Sequence, residues 1–249
     1  MTPRRLGQHF LSDPSILSRI ADALDPKPGE SVIEIGPGHG TLTQELLARG
    51  LRVIAIEKDR RLAAALPVHD NLNVVTGDAL ELDWHLYGAN KVIGNIPYYI
   101  TSPLIDKALV PPLPERVIFL MQNEVAERIA APPGSKTFGA LSVGVQAVCR
   151  VERLFTVAPG AFRPPPKVKS ALVRLTPLAE PLVAPEEVAP LRTFVTACFS
   201  KRRKQLHNAV PGGTPAALSA LGFDPKARPE TLAPRDFVRL LRWSRENVK

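Results

Sequence analysis

The fold is decided by residues 31–57, which read SVIEIGPGHGTLTQELLARGLRVIAIE. The apolar, β-branched run 31–36 predicts a buried strand that ends in a glycine turn. Residues 41–49 have the spacing of a helix, and Gly50 follows where helices commonly end in a left-handed residue. Residues 52–57 predict a second buried strand. A strand, a helix and a strand of these lengths indicate a βαβ unit with parallel strands.

The same alternation continues through the first half of the chain. The sequence predicts further strands at 72–78, 91–96 and 116–121, and helices at 59–66, 103–109 and 124–131. After residue 141 the pattern changes, because 143–157 and 169–175 predict strands with no helix between them. We therefore expect an α/β fold whose Rossmann-like, mostly parallel sheet ends in an antiparallel pair.

The last quarter of the chain predicts a second, helical domain. The segment PLAEPLVAP at 177–185 has the composition of a linker. Beyond it the sequence shows helical periodicity only, at 186–200, 215–221 and 234–247. We expect an α/β domain over residues 1–178 and a small all-α domain over residues 186–249.

Composition limits the class of protein. The 249 residues are 45% hydrophobic and 22% charged, which permits a packed core and excludes wholesale disorder. Two cysteines cannot make a disulfide framework or a structural zinc site, and the histidines have no metal-ligand spacing. No apolar run approaches the roughly 18 residues that span a bilayer, and the basic start lacks the apolar stretch of a signal peptide. We expect a soluble, cytoplasmic monomer without a metal.

Charge is distributed unevenly along the chain. The net charge is +8, and residues 186–249 hold 12 basic against 6 acidic residues. This asymmetry favours a surface that binds a polyanion, with a merely solvated basic face as the alternative. Lys201, Arg202, Arg203 and Lys204 follow a predicted helix and are the candidate phosphate-binding run.

The glycine turn GPGHG at 36–40 lies between a strand and a helix, where open α/β sheets bind ligands. Gly36 and Gly38 would let the backbone approach a ligand closely. Glu57 ends the next strand, where an acid accepts hydrogen bonds from ribose hydroxyls, and Asp78 ends the third strand, within reach of an adenine amino group. The spacing differs from the GxGxxG of dinucleotide sites, which favours a nucleoside without a pyrophosphate, S-adenosylmethionine. Each feature alone could be structural: a βα turn, a solvated acid, a capping aspartate.

The tetrapeptide Asn95-Ile96-Pro97-Tyr98 ends the fourth predicted strand and resembles the (D/N/S)-P-P-(Y/F) motif of amino-methyltransferases. The resemblance implies a reaction on an amino group such as that of adenine. The Asn95 amide oxygen and the Ile96 carbonyl can accept its two N–H bonds, which favours a pyramidal nitrogen with an available lone pair. Pro97 stiffens the turn, so these acceptors are preorganised. Tyr98 offers a face on which an extruded base can stack. An ordinary strand-to-loop turn is the alternative.

Taken together, these motifs resemble the ribosomal RNA adenine dimethylase family, and within it the small-subunit type. The resemblance covers nearly the whole chain. It is carried by GQHFL at 7–11, EIGPGHGTLT at 34–43, IE at 56–57, GDAL at 77–80, NIPYYITSPL at 95–104, MQNEVAERI at 121–129, PGAFRPPPKVKSALV at 159–173 and FSKRRKQLHN at 199–208.

The resemblance implies a class I methyltransferase fold and assigns roles to single residues. His9, which stands where the family usually has asparagine, and Leu11 would border the cofactor, and Asn95 would lie beside its methyl group. Gly36 would lie under the cofactor, Glu57 on its ribose and Asp78 on its adenine. Phe162 would form the second wall of the target-base pocket opposite Tyr98, although an aromatic in such a loop is more often a core anchor. Arg163, Lys167 and Lys169, with Arg4 and Arg5, would extend the RNA-binding surface.

The implied activity is S-adenosylmethionine-dependent N6,N6-dimethylation of two adjacent adenines in a small-subunit rRNA hairpin loop, on a pre-30S particle. Loop bases can be extruded at little cost in pairing energy. Three alternatives stay open: a large-subunit dimethylase of the macrolide-resistance type, a DNA adenine methyltransferase, and a ribosome-assembly factor that binds RNA without methylating it.

Overall fold

The computed structural model describes residues 9–247. In the first half of the chain, strands and helices alternate as the sequence predicts. The strands are β1 (Phe10–Leu11), β2 (Ser31–Ile35), β3 (Arg52–Glu57), β4 (Leu72–Thr76), β5 (Lys91–Asn95), β6 (Arg116–Gln122), β7 (Cys149–Val157), β8 (Phe162–Arg163) and β9 (Ser170–Pro177). The α-helices are α1 (Pro14–Asp22), α2 (Thr41–Ala48), α3 (Arg60–Ala65), α4 (Thr101–Ala108), α5 (Asn123–Ile129), α6 (Ala140–Gln146), α7 (Val188–Ser200), α8 (Leu206–Ala209), α9 (Pro215–Ala220) and α10 (Pro234–Asn247). Arg4 and Arg5 lie outside the described residues.

Seven strands form one sheet in the order β4-β3-β2-β5-β6-β9-β7. The neighbours from β4 to β6 pair in parallel, and β9 runs antiparallel to β6. The predicted mostly parallel sheet with an antiparallel end is therefore confirmed. Because the chain leaves β2 towards β3 on one side and returns to β5 on the other, the strand order reverses between β2 and β5. Ligands of open α/β sheets bind outside the carboxyl ends of the strands at such a point.

The sheet is held by a buried apolar core. The central strands are buried on both faces, as in β6, where Val117 to Met121 are at most 2% exposed. Helices α1 and α2 cover one face with Leu17, Ile20 and Leu46, which belong to the same apolar cluster as Val32 and Val53 of the sheet. This packing fixes the strand ends from which the loops of the site project.

One strand prediction is wrong in its first part. Residues 143–157 are not a single strand: Ala140–Gln146 form α6, and the strand begins only at Cys149. The two valines that favoured a strand, Val143 and Val145, are fully buried within the helix. Strand propensity is a weak preference that such packing overrides.

The chain divides by its contacts into two compact units. The first comprises the chain up to Ala126 together with Glu152–Pro177, and the second comprises Glu127–Val151 together with the chain from Leu178 onward. The segment that we predicted as a linker is a loop attached to the second unit, where the N–H groups of Leu178 and Leu182 donate to the carbonyls of Val148 and Ala147. The division into an α/β domain that ends at residue 178 and a helical domain that begins at residue 186 stays a prediction.

Candidate active site

A cleft of about 820 Å³, including its open mouth, lies at the carboxyl ends of β2, β3, β4 and β5. At the end of each of these strands lies a residue that we singled out from the sequence, namely Gly36, Glu57, Asp78 and Asn95. The sheet therefore brings together residues from positions 36 to 98. The cleft is lined by His9, Phe10, Ile35, Gly36, Gly38, Ile56, Glu57, Lys58, Gly77, Asp78, Ala79, Asn95, Ile96, Pro97, Tyr98, Tyr99 and Ile100.

The glycine turn forms the floor of this cleft. Gly36 has φ +66°, which disfavours any side chain, and a Cβ placed on it would meet no protein atom within 4 Å. The space above Gly36 is therefore open to a ligand. Gly38 has φ +57°, and a Cβ there would come within 2.8 Å of the Phe10 ring. Phe10 also packs against His39, with ring centroids 4.3 Å apart, so the first strand braces the turn.

Glu57 connects the end of β3 to the glycine turn. Its Oε2 accepts the N–H of Gly38 at 3.1 Å, and its Oε1 accepts the N–H of Asp59 at 2.9 Å. The residue is only 4% exposed. Since a carboxylate has about four acceptor positions, Glu57 retains capacity for two hydroxyl donors while its orientation stays fixed by the backbone.

A second acid, Glu34, lies beneath the turn in β2. It is 1% exposed and accepts a hydrogen bond from the Thr43 hydroxyl at 2.6 Å. Burial raises the pKa of Glu34 to about 7 against the opposing effect of the Thr43 hydrogen bond, and the charge of Glu57 contributes further to the rise. Glu34 does not line the cleft, and its bond to Thr43 ties β2 to α2.

Asp78 sits on the loop after β4 and has two partners. Its Oδ1 accepts the N–H of Leu80 at 2.9 Å, and its Oδ2 lies 2.6 Å from Nζ of Lys58. The Lys58 hydrogen bond holds the pKa of the Asp78 carboxyl below its usual range. The acid is therefore charged, oriented and able to accept an amino hydrogen at its remaining positions.

Asn95 ends β5, and the orientation of its amide is fixed by the backbone of His9, the residue just before β1. Its Nδ2 donates to the carbonyl of His9 at 2.9 Å. Since the donating end of the amide is engaged, Oδ1 is left as the acceptor. The His9 ring in turn lies 2.8 Å from the Pro164 carbonyl through Nδ1, and its centroid is 5.7 Å from that of Tyr98.

The rest of the tetrapeptide is equally constrained. The N–H of Ile96 donates to the Leu120 carbonyl of β6, which fixes the Ile96 peptide. Pro97 has φ −56° and begins a short 3-10 helix. The Tyr98 hydroxyl shares a 2.9 Å hydrogen bond with Ser170, which is 1% exposed at the start of β9. Burial raises the pKa of Tyr98, with the Ser170 hydrogen bond opposing the rise, so the ring is anchored and neutral at physiological pH.

Two predicted site residues lie in the core instead of the cleft. Phe162 is 1% exposed and Leu11 is 4% exposed, and both belong to the apolar cluster that α1 covers. They meet because β1 and β8 pair antiparallel, with Leu11 opposite Phe162. In this position the Phe162 ring has no open face for a base, so it acts as the core anchor that its loop position favours.

The residues of the cleft suit a nucleoside. The open space over Gly36 and the oriented acids Glu57 and Asp78 offer room for a ligand and acceptors for its hydroxyl and amino groups. Within residues 9–247 there is no group of three or more His, Cys, Asp or Glu side chains placed to hold a metal ion. In the same range no helix is long and apolar enough to cross a membrane.

The basic residues differ in how far they are engaged. Lys201, Arg203 and Lys204 are exposed in the turn after α7. Arg202 is half-buried, donates to the Lys136 carbonyl at 2.7 Å and lies 3.8 Å from a carboxylate oxygen of Glu230, so its contacts are structural.

In the first unit, Arg163 folds back onto the carbonyls of Gly160 and Phe162. Lys167 and Lys169 are exposed on the loop between β8 and β9.

Lys58, Tyr99 and Ser170 are among the residues at the site that were given no role from the sequence. Lys58 and Tyr99 adjoin residues that we did single out, and their adjacency to the motifs could have indicated them. Ser170 could not be found in this way, because it lies 72 residues from its partner Tyr98.

Comparison with known proteins identifies the family. The model of the family "Ribosomal RNA adenine dimethylase" matches residues 2–245. A protein of Idiomarina loihiensis named ribosomal RNA small subunit methyltransferase A is 42% identical, over 98% of this chain and 88% of its own. The protein of the same name from Pseudomonas aeruginosa is 43% identical, over 95% of this chain and 92% of its own.

Solved structures agree with this match. A dimethyladenosine transferase from Plasmodium falciparum is 29% identical with a TM-score of 0.80, covering 96% of this chain and 98% of its own. The 23S rRNA methyltransferase ErmE is 30% identical with a TM-score of 0.72, covering 94% and 98%. The fold is that of the class I methyltransferases, and the chain belongs to the ribosomal RNA adenine dimethylase family.

Proposed function

We propose that this protein transfers methyl groups from S-adenosylmethionine to N6 of two adjacent adenines in a hairpin loop of small-subunit rRNA, forming dimethyladenosine. The orientation of Asn95 carries the proposal, because its nitrogen is bound to the His9 carbonyl and its oxygen is left to accept from an amino group. The anchored Tyr98 ring stands beside it in the same cleft.

The cofactor fits the groups that line the cleft. Gly36 and Gly38 would lie under it, Glu57 would accept from its ribose hydroxyls and Asp78 from its adenine amino group. When bound, it supplies an electrophilic methyl group on a positively charged sulfur. His9 borders the same cleft, whereas Leu11 is buried in the core and does not line it.

The chain's own residues would raise the reactivity of the adenine nitrogen. Its lone pair is normally delocalised into the ring. If Oδ1 of Asn95 and the Ile96 carbonyl accept its two N–H bonds, the nitrogen becomes pyramidal and its lone pair localised. Tyr98 would hold the base by stacking, which is worth roughly 1–3 kcal/mol. Alkylation leaves the nitrogen positively charged with two N–H protons, and one of these becomes acidic and leaves to solvent without a side-chain base. After one transfer an N–H remains, which permits a second.

RNA binding is proposed for the exposed cations. Lys201, Arg203 and Lys204 in the second unit, and Lys167 in the first, are exposed and can neutralise phosphates. Phe162 is not proposed as a wall of the target-base pocket, because it is buried. Arg202 and Arg163 are not proposed as primary phosphate contacts, because both donate hydrogen bonds to protein carbonyls. We further propose that the protein acts as a cytoplasmic monomer on the pre-30S particle.

The small subunit is favoured over the large one by the degree of similarity. The relatives named for the small subunit are 42–43% identical, whereas the 23S rRNA methyltransferase is 30% identical.

The test is transfer of labelled methyl groups to small-subunit particles that lack the modification, with large-subunit RNA as the control and mass spectrometry of the nucleosides. We expect dimethyladenosine in the small-subunit sample only. Label in large-subunit RNA would favour the resistance-type alternative. Tight binding without label in either would favour the assembly factor.

A further inference from the structure

Tyr99 is an exposed aromatic ring on the wall of the cleft. It is 59% exposed, in contrast to its half-buried neighbour Tyr98. Among residues 9–247 the large exposed apolar side chains are Val68, Leu86, Tyr99, Val110 and Val168, and of these Tyr99 alone is aromatic and alone lines the cleft. Single exposed apolar residues are common. The feature that calls for a functional explanation is the position of Tyr99 in the cleft, next to the anchored Tyr98 in the sequence.

A cation, Lys58, lines the same cleft as this ring. The Lys58 side chain is 59% exposed, and its Nζ lies 2.6 Å from Asp78. The Asp78 hydrogen bond and charge raise the pKa of Lys58. An ammonium has three donors, so Lys58 can hold Asp78 and still donate to a phosphate oxygen. An aromatic face with a cation beside it is how proteins bind single-stranded nucleic acid.

We propose that Tyr99 is a stacking platform for the nucleotide next to the target adenine, so that the protein holds two consecutive unpaired bases, one on Tyr98 and one on Tyr99. This inference rests on the proposed function. Tyr98 and Tyr99 belong to one short 3-10 helix, in which successive side chains diverge by about 120°, and both line the cleft. The two rings therefore present separate faces, which two splayed nucleotides of an unpaired loop can reach at the same time. The ligand class is an unpaired nucleobase of RNA, and stacking accepts any base because each has a π-face. With two adjacent target adenines, the resting one occupies Tyr99 while the other reacts.

The first experiment measures the affinity of variants for a synthetic RNA hairpin whose loop contains two adjacent adenines. Tyr99→Ala should weaken binding by about 5- to 100-fold, which corresponds to the loss of one stacked base. Tyr99→Phe, which keeps the ring, should stay within about threefold of wild type. Leu86→Ala is the matched control, because Leu86 is an exposed apolar residue outside the cleft. The affinity of all variants for S-adenosylhomocysteine should be unchanged.

The second experiment removes the base instead of the ring. A hairpin with an abasic nucleotide beside the target adenine should bind wild type about as weakly as the intact hairpin binds Tyr99→Ala. Tyr99→Ala should bind the abasic hairpin and the intact hairpin with the same affinity, because the ring and the base that stacks on it form a single contact.

Several results would overturn the subsite. One is wild type that binds the hairpin no more tightly than Tyr99→Ala does, and another is an RNA affinity of Tyr99→Phe as low as that of Tyr99→Ala. A third is an affinity of Tyr99→Ala for S-adenosylhomocysteine that falls as much as its affinity for RNA. The last is an abasic hairpin that binds Tyr99→Ala more weakly than the intact hairpin does. The failure of the proposed function is a separate result, because wild type would then transfer no methyl group to small-subunit particles. If wild type transfers methyl groups and Tyr99→Ala binds RNA normally, only the subsite is refuted.

Discussion

The acids of the cleft and the cations of the turn at 201–204 are two charged regions built on opposite principles. Glu57 is 4% exposed, and each of its carboxylate oxygens accepts a backbone N–H. In the turn, Lys201, Arg203 and Lys204 stand in solvent, and only Arg202 is held by its own unit. The first region fixes its charges before any ligand arrives. The second leaves most of its charges mobile.

The two regions should recognise their ligands in different ways. A preorganised, buried acceptor discriminates between ligands because leaving it unsatisfied is costly. Exposed cations bind any polyanion through charge, with a strong dependence on salt. Changes in the cleft should therefore have large effects that depend little on salt, and changes in the turn should have small effects that salt removes.

The largest effect is expected from Glu57→Ala. The change removes the proposed acceptor for the ribose hydroxyls and leaves the N–H groups of Gly38 and Asp59 without their partner. Hydrogen bonds to a charged group contribute about 1.5–3 kcal/mol each, so the affinity for S-adenosylhomocysteine should fall at least about 100-fold by calorimetry. Asp70→Ala, at an exposed acid that does not line the cleft, is the control. An affinity for Glu57→Ala equal to that of the control would contradict the role of Glu57.

The next effect is a pH dependence of stability that comes from Glu34. Its pKa is about 7 in the folded protein against an ordinary value of 4.5. Between these values the folded state binds more protons than the unfolded state, so the free energy of unfolding falls as pH rises. The loss begins near pH 4.5, levels off above pH 7 and amounts to at most about 3 kcal/mol.

Denaturant unfolding of Glu34→Gln between pH 5 and pH 8 checks this. The variant should lose most of the pH-dependent fall, whereas Glu115→Gln, at an exposed acid, should keep it. The same pH slope in wild type and Glu34→Gln would show that Glu34 is ionised in the folded protein.

The smallest effects separate two neighbouring arginines of the basic turn. Arg202→Ala removes the bond to the Lys136 carbonyl and the contact with Glu230, and should lower the free energy of unfolding by about 1–2 kcal/mol. Arg203→Ala should change that free energy by less than about 0.5 kcal/mol. It should instead weaken RNA binding a few-fold and lower the slope of log K against log salt by about 1. A loss of stability in Arg203→Ala together with a loss of RNA binding only in Arg202→Ala would contradict these roles of the two arginines.

Much of the cleft could be predicted because its residues lie at strand ends that the sequence marks. Continuous apolar runs placed β2, β3 and β5 within one residue of their observed ends. Parallel strands then bring Gly36, Glu57 and Asn95 to one edge of the sheet, whatever the details of packing. This part of the site follows from local patterns and a single rule of topology.

The contacts that orient these residues could not be predicted, because they join distant parts of the chain. The pairing of β1 with β8 places Phe162 in the core, and no local pattern distinguishes that position from a pocket wall. The bond between Tyr98 and Ser170 and the partners of Arg202 are of the same kind. The helix at 140–146 was missed for a related reason, since its buried valines also suit a strand.

The central claim is that the Asn95 oxygen activates the adenine nitrogen. The most direct test is the single-turnover rate of methyl transfer by Asn95→Ala on the small-subunit particle at saturating S-adenosylmethionine, with RNA affinity measured in parallel. Loss of one preorganised group commonly costs 10²–10³ in rate. We expect the rate for Asn95→Ala to fall at least about 100-fold while its RNA affinity stays within about threefold of wild type. A rate equal to wild type, or a loss explained entirely by weaker RNA binding, would contradict it.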